Sequence, residues 1–102
     1  MEIEVSNHAC ERGKTRLGLN KKAMKRQGEL AWNRGIRHGE TKGRLRKYID
    51  KEALRFTHKA NCYIVFNSHL FFFRKISDDK MIVLSMIKLP SNLSRDINKY
   101  FK

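Results

Sequence analysis

The chain has 102 residues, a length that suits one domain with a real core and leaves no room for two. Its 23 Lys and Arg against 10 Asp and Glu give a formal net charge of +13, so compaction carries a self-repulsion that a polyanionic partner relieves. Hydrophobic residues make up 40% and fall in periodic runs, which excludes disorder over most of the length.

Residues 1–5 alternate Ile3 and Val5 with Glu2 and Glu4, the pattern of a short edge strand or an ordered lead-in. Ser6 caps a helix predicted over 7–17, which Gly18 ends in the left-handed conformation. Ala9, Cys10, Gly13 and Leu17 fall on one side of it. His8, Arg12 and Arg16 recur at i, i+4 and i+8 along its flank, so all three point one way. Asn20 caps a second helix over 21–34, closed by Gly35, with Ala23, Met24, Gln27, Leu30 and Ala31 as its inward arc. Lys21, Lys22, Lys25 and Arg26 make a basic face outside that arc. Gly28 costs this helix about 1 kcal/mol relative to alanine, which a close approach by a neighbouring segment would explain. Trp32, at the border of the arc, reads as a core-edge residue, with stacking on a base as the functional alternative.

Residues 36–40 read as a loop carrying Arg37 and His38. Thr41 is the expected cap of a third helix, in which Leu45, Ile49, Ala53 and Phe56 recur at helical spacing and Tyr48 and Glu52 edge the stripe. Its opposite face carries Arg44, Lys47, Lys51 and Arg55, with Lys42 just before it. Residues 58–61 break the pattern, and the character then changes. The runs 62–66, 70–73 and 81–87 are β-branched and aromatic, punctuated by Asn67-Ser68-His69 and by 77–80, as in a meander of three antiparallel strands. Both faces of this sheet are apolar in places, so helices should cover one and the tail part of the other. Pro90 ends the third strand, and Ser91-Asn92 open a short helix with Leu93, Ile97, Tyr100 and Phe101 as apolar contacts.

The fold class is therefore α+β: about three N-terminal helices packed on a small antiparallel β-meander, with a short C-terminal helix. One domain is expected over 1–102, with a basic helical part at 6–58, the meander at 61–89 and the helical tail at 91–102. Cys10 and Cys62 lie outside any CxxC, which favours a reducing compartment over a disulfide scaffold. The longest apolar run, Leu70 to Phe73, stops at Arg74-Lys75, far short of a membrane span, and Glu2 and Glu4 stand where an export signal would be basic. A cytoplasmic protein without membrane association is expected.

The chain lacks GxxxxGK[ST], GxGxxG, HExxH and GxSxG. Acidic residues are sparse and Asp78-Asp79 suits a turn, so two-metal chemistry has no ligand set. His8, Cys10, His58 and Cys62 make a poor zinc quartet, because His8 and Cys10 diverge by about 200° on a helix. No metal and no cofactor are expected. What remains is metal-free chemistry on RNA, where attack by the 2′-hydroxyl needs a base, an acid and cations for the pentacoordinate phosphate. His8 with Arg12 and Arg16 supplies a titratable group beside two fixed cations. Lys42, Tyr63, His69 and Arg74 are possible additions. The structural alternative makes His8 a local hydrogen-bonding residue and the arginines a solvated face.

Ser6-Asn7-His8-Ala9-Cys10-Glu11-Arg12, a first helix of the form His-Ala-x-x-Arg ahead of further helices and a short sheet ending in an apolar strand, resembles the small ribonuclease toxins of the RelE/barnase type. Thr41-Lys42-Gly43-Arg44-Leu45-Arg46-Lys47-Tyr48, with a final strand closing in Leu89-Pro90, is also similar to small bacterial and mobile-element proteins without an assigned activity. The first resemblance implies N-terminal helices on a four-stranded antiparallel sheet, RNA bound across basic residues, His8 and Arg12 as a first-helix pair, and Arg74 as a phosphate contact. Those toxins often place a catalytic residue near the C-terminal strand, where this chain offers only Ser85.

Three readings follow. The first is a small basic RNA-binding protein acting as a toxin-type, metal-independent endoribonuclease through His8, Arg12 and Arg16. Its nucleic-acid contacts are Lys21, Lys22, Lys25, Arg26, Arg37, Lys42, Arg44, Lys47, Lys51, Arg55 and Arg74. The second is a phage-borne inhibitor or adaptor of the anti-CRISPR kind, occupying a nucleic-acid channel or a ribonucleoprotein. The third is a DNA-binding regulator, on the strength of two helices joined by a Gly-bounded loop, although that loop exceeds the usual helix-turn-helix turn. An acidic protein partner also fits the charge.

Overall fold

The computed structural model describes residues 1–55 and 60–100. Phe56, His58 and Phe101, to which the sequence assigned a stripe position, a zinc-ligand position and a tail contact, lie outside the described residues. The elements run β1 (Glu2–Val5), α1 (Asn7–Leu17), α2 (Lys21–Arg34), β2 (Ile36–Arg37), a 3₁₀ turn (His38–Glu40), α3 (Gly43–Arg55), β3 (Cys62–Phe66), β4 (His69–Ser77), β5 (Lys80–Lys88), a second 3₁₀ turn (Ser91–Leu93) and α4 (Ser94–Asn98).

The class is α+β, as the sequence implies, but the sheet is larger and mixed. Five strands stand in the order β1-β5-β4-β3-β2. The expected meander is its antiparallel centre. β1 adds to β5 in parallel, with Ile3 opposite Met81 and Val5 opposite Val83. The segment read as a loop contributes β2, whose Ile36 and Arg37 pair with Val65 and Ile64. Two residues are too few to show an alternation, so this edge strand left no periodic signal.

The helices do not stack on one face. In the run Phe71-Phe72-Phe73, alternation sends Phe71 and Phe73 to one side of β4 and Phe72 to the other. Phe71 and Phe73 pack with Ile3, Ala9, Met24, Ala31, Ile64 and Val83, beneath α1 and α2. Phe72 packs with Leu45, Ile49, Val65, Leu70, Leu93 and Ile97, beneath α3 and α4. Three layers result: two helices, the sheet, two helices. Both sheet faces are dry, which is why the strands read as nearly unbroken apolar runs.

Local signals set most boundaries. Ser6 accepts from the Ala9 N–H at 3.1 Å, and Gly18 closes α1 at φ 66°. Asn20 accepts from the Ala23 N–H at 2.8 Å. Thr41 behaves otherwise: it is fully buried and its hydroxyl donates back to the His38 carbonyl at 2.6 Å, closing the 3₁₀ turn. Gly43, at φ 61°, then turns the chain into α3. Leu17, assigned to an inward side, is exposed.

Gly28 marks the closest approach of α2 to the sheet. A Cβ there would stand 2.9 Å from Val83 Cγ2 and 3.2 Å from Ile3 Cγ2. Gly28→Ala therefore sets a helix-propensity gain of about 1 kcal/mol against an overpacking cost of about 1–3 kcal/mol. We expect a net loss of roughly 1 kcal/mol, read as a lower urea midpoint at unchanged slope. An unchanged or raised midpoint would show that α2 can lift off the sheet without cost.

Candidate nucleic-acid interface

The geometry of the interface begins at a register shift in β5. Phe72 pairs with Ser85 while Phe73 pairs with Val83, so Leu84 is an extra residue on that strand. Before the bulge, Met81 and Val83 face α1 and α2; beyond it the phase is reversed, and Ile87 joins Phe72 on the α3 side. The β1 pairing also ends at Val83. Ser6 takes over the free edge there: its N–H donates to the Val83 carbonyl at 3.0 Å and its hydroxyl to the Leu84 carbonyl at 3.0 Å. Helix α1 is thereby anchored along β5, straddling the sheet edge. Ala9 and Gly13 are buried on one side, and Arg12 and Arg16 reach around to the other.

That placement brings α1 against the end of α3. Arg12, Arg16, Glu52 and Arg55 line a cleft of 310 Å³ whose remaining walls are Phe72, Ser85 and Ile87. Phe72 and Ser85 are almost wholly buried. Arg55 Nη1 lies 3.3 Å from Glu52 Oε1, and the Glu52 side chain is only 15% exposed against 71% for Arg55. Arg12 and Arg16 share this cleft with the Arg55–Glu52 pair. His8, one turn before Arg12 on α1, accepts at Nε2 from Arg12 Nε at 2.7 Å. Through that bond the imidazole orients the Arg12 guanidinium. Arg74 is exposed on the same sheet face, two residues and about 7 Å along β4 from Phe72. The structure therefore gathers Arg12, Arg16 and Arg55, with His8 and Arg74 nearby. Glu52 and Ser85 are the members that sequence reasoning left out of the site. Glu52 was legible only as the edge of a stripe, and Ser85 needed the bulge.

Tyr48, one turn before Glu52, is half-buried against the α3-side core. Burial first, and the Glu52 carboxylate second, hold its hydroxyl above the ordinary value of 10.0, while Arg55 pulls the other way.

The other basic candidates separate. Lys47 and Lys51 are exposed on α3 and carry no ion pair among the described residues. Arg44 is tied to Asp96 of α4 at 3.3 Å, and Lys42 sits beside that contact. Arg37 turns inward: its guanidinium lies 4.2 Å over the Trp32 ring, donates to the Trp32 carbonyl at 2.8 Å, and leaves Nη1 buried without a partner. Trp32 is edge-on to Phe73 at 5.8 Å, so it closes the core, and Arg37 occupies the face a base would need. Lys21, Lys22, Lys25 and Arg26 lie on α2, across the sheet from the cleft. They do not widen the α3 strip. Tyr63 packs edge-on to Phe72, His38 faces Asp50 at 2.6 Å, and His69 Nδ1 is 2.7 Å from the Asn67 carbonyl, so each has a local structural role.

Among the described residues no three His, Cys, Asp or Glu come together as a metal site, and no helix is long and apolar enough to cross a membrane. Cys10 and Cys62 are both free thiols, and burial pushes the Cys62 thiol up against the pull of Arg37. No family model, no curated protein and no solved structure matches the chain.

Because Tyr48 ionises at higher pH folded than unfolded, its contribution to stability is complete below the unfolded value and is lost as pH rises through the folded one. Wild-type protein should therefore lose stability more steeply than Tyr48→Phe between about pH 9 and 11, where an unperturbed tyrosine ionises. Urea midpoints across that range test it, and parallel curves would show that neither burial nor Glu52 raises the Tyr48 hydroxyl.

Proposed function

We propose that the protein binds RNA and cleaves it without a metal ion, as toxin-type endoribonucleases do, with the cleft between α1 and α3 as the reaction centre. The observation that carries this reading is that Arg12, Arg16 and Arg55 line one cleft with the shielded Glu52 carboxylate. Guanidinium groups match phosphate geometry and stabilise the charge that develops on a pentacoordinate phosphorus. Glu52 takes the proton of the 2′-hydroxyl, whose oxygen attacks phosphorus. The bond from phosphorus to the 5′-oxygen breaks, and protonated His8, swinging off Arg12, gives that oxygen its proton. The products are a 2′,3′-cyclic phosphate and a 5′-hydroxyl. Lys47 and Lys51, along the exposed face of α3, hold flanking phosphates.

Labelled single-stranded RNA, structured RNA and duplex DNA, titrated across a salt series in EDTA with product lengths read on gels, test the reading. RNA should be cut to 2′,3′-cyclic ends, and DNA should survive for want of a 2′-hydroxyl. Glu52→Gln and His8→Ala should each slow cleavage by about 10²–10⁴ while binding changes little. A single 2′-deoxy nucleotide at the scissile position should bind and resist.

The unpaired lysines of α3 also support a second reading, the non-enzymatic inhibitor or adaptor that occupies a nucleic-acid channel or a ribonucleoprotein. Tight, salt-sensitive binding with RNA left intact, weakened most by Lys47→Gln with Lys51→Gln, would replace the first reading with this one. Failure to bind any nucleic acid would sink both and leave an acidic protein partner.

A further inference from the structure

The cations of this chain form two surfaces that no single flat ligand can touch. Met24 and Ala31 bury α2 against Phe71, Phe73 and Val83. Leu45 and Ile49 bury α3 against Phe72 and Leu70, on the other side of the same sheet. The outward faces of α2 and α3 therefore point in opposite directions across a molecule of 31 × 30 × 28 Å. On α2, Lys22, Lys25 and Arg26 line an open groove of 620 Å³ with Asn20, Ala23 and Glu29. Lys21, Lys22 and Lys25 border another, whose far wall is Glu2 and Glu4 of β1. Glu4 is occupied by Lys80 at 3.0 Å, and none of the four α2 cations carries an ion pair among the described residues.

Structural duty does not account for this group. The polar side-chain contacts that join elements use other residues: Arg44 with Asp96, His38 with Asp50, Lys80 with Glu4. The α2 cluster sits at i, i+1, i+4 and i+5, so its charges repel one another on one helix face and destabilise the free protein slightly. A strand of phosphates removes that repulsion and releases counterions. The separation of the two faces exceeds the screening length of about 8 Å at physiological salt, so a strand on one does not exclude a strand on the other.

We propose that α2 is a second RNA-binding surface, independent of the cleft, and that one copy of the protein bridges two RNA strands. The first strand's place rests on the reading given above; the second surface does not. It takes backbone phosphate without base preference, since lysines act as point charges and no aromatic side chain lines the groove.

Two non-complementary 2′-O-methyl RNAs, one carrying a donor and the other an acceptor dye, cannot be cut by 2′-hydroxyl attack and so separate bridging from catalysis. Equimolar wild-type protein should bring them together and raise energy transfer. The quadruple variant K21Q/K22Q/K25Q/R26Q should abolish transfer yet still bind one strand, with its salt slope reduced by about 3. R12Q/R16Q/R55Q should also abolish transfer and bind one strand through α2. Wild type that binds a strand without transfer, with affinity unchanged in the α2 variant, overturns the proposal. So does transfer that persists in the α2 variant, the outcome expected if two copies each hold one strand. If the cleft variant loses no affinity while α2 variants lose all of it, the cleft reading fails and the α2 surface stands.

Discussion

Much of this molecule depends on how the edge of β5 is satisfied beyond Val83. A parallel partner that stops halfway leaves carbonyls exposed, and an unpaired edge is both costly and prone to aberrant pairing. Ser6 answers this with one residue. Its backbone N–H and its hydroxyl bond to successive β5 carbonyls at the bulge, while its hydroxyl oxygen also accepts from the first turn of α1. Strand edge, bulge and helix start are thus locked together. Because α1 is fixed at this point, the register of its flank is fixed too, and His8, Arg12 and Arg16 are carried to the rim of the α3-side face instead of being spent on the face α1 itself covers.

The bulge does the complementary work in the sheet. Without the extra residue at Leu84, the alternation that buries Met81 and Val83 beneath α1 and α2 would send Ser85 to the same side. With it, Ser85 stands opposite Phe72 and floors the cleft. Ser85 is thus a polar side chain at 2% exposure in the floor of the cleft. Helix end, strand irregularity and charge cluster therefore share one cause, and the cleft is a consequence of the edge.

Whatever depended on neighbours in sequence was legible. Ser6, Gly18 and Asn20 mark helix ends by chemistry that acts within one turn, and the β-branched runs announce strands. The continuous Leu70-Phe71-Phe72-Phe73 run even announced a sheet buried on both sides. Which helix covers which side was not legible, because a run apolar at every position gives no preference between faces. The same ambiguity left open how the basic faces of α2 and α3 sit relative to each other; the sheet stands between them. β1 read as an edge strand, but its parallel partner lies some eighty residues on, and no local pattern encodes that pairing.

Charge shows a similar division between what composition says and what the fold does with it. With 10 carboxylates for 23 Lys and Arg, the placement of acids decides which cations become structural. Asp96 is placed to hold α4 to α3 through Arg44, Glu4 to hold β1 to β5 through Lys80, and Asp50 to hold the 3₁₀ turn to α3 through His38. Solvent screens such pairs, so their value is more in orientation than in stability. Arg37 is withdrawn differently, by stacking on Trp32 and capping the core with a guanidinium whose Nη1 finds no partner, a costly arrangement that a surface role would not require. After these subtractions the remaining cations are not spread evenly. Several stand on α2, on the outer face of α3 and in the cleft with Glu52, an acid paired within its own helix to Arg55 instead of joining two elements. A carboxylate used only to neutralise charge would be as effective exposed; the Glu52 side chain is instead 15% exposed, beside Tyr48 and in the cleft where α1 meets α3.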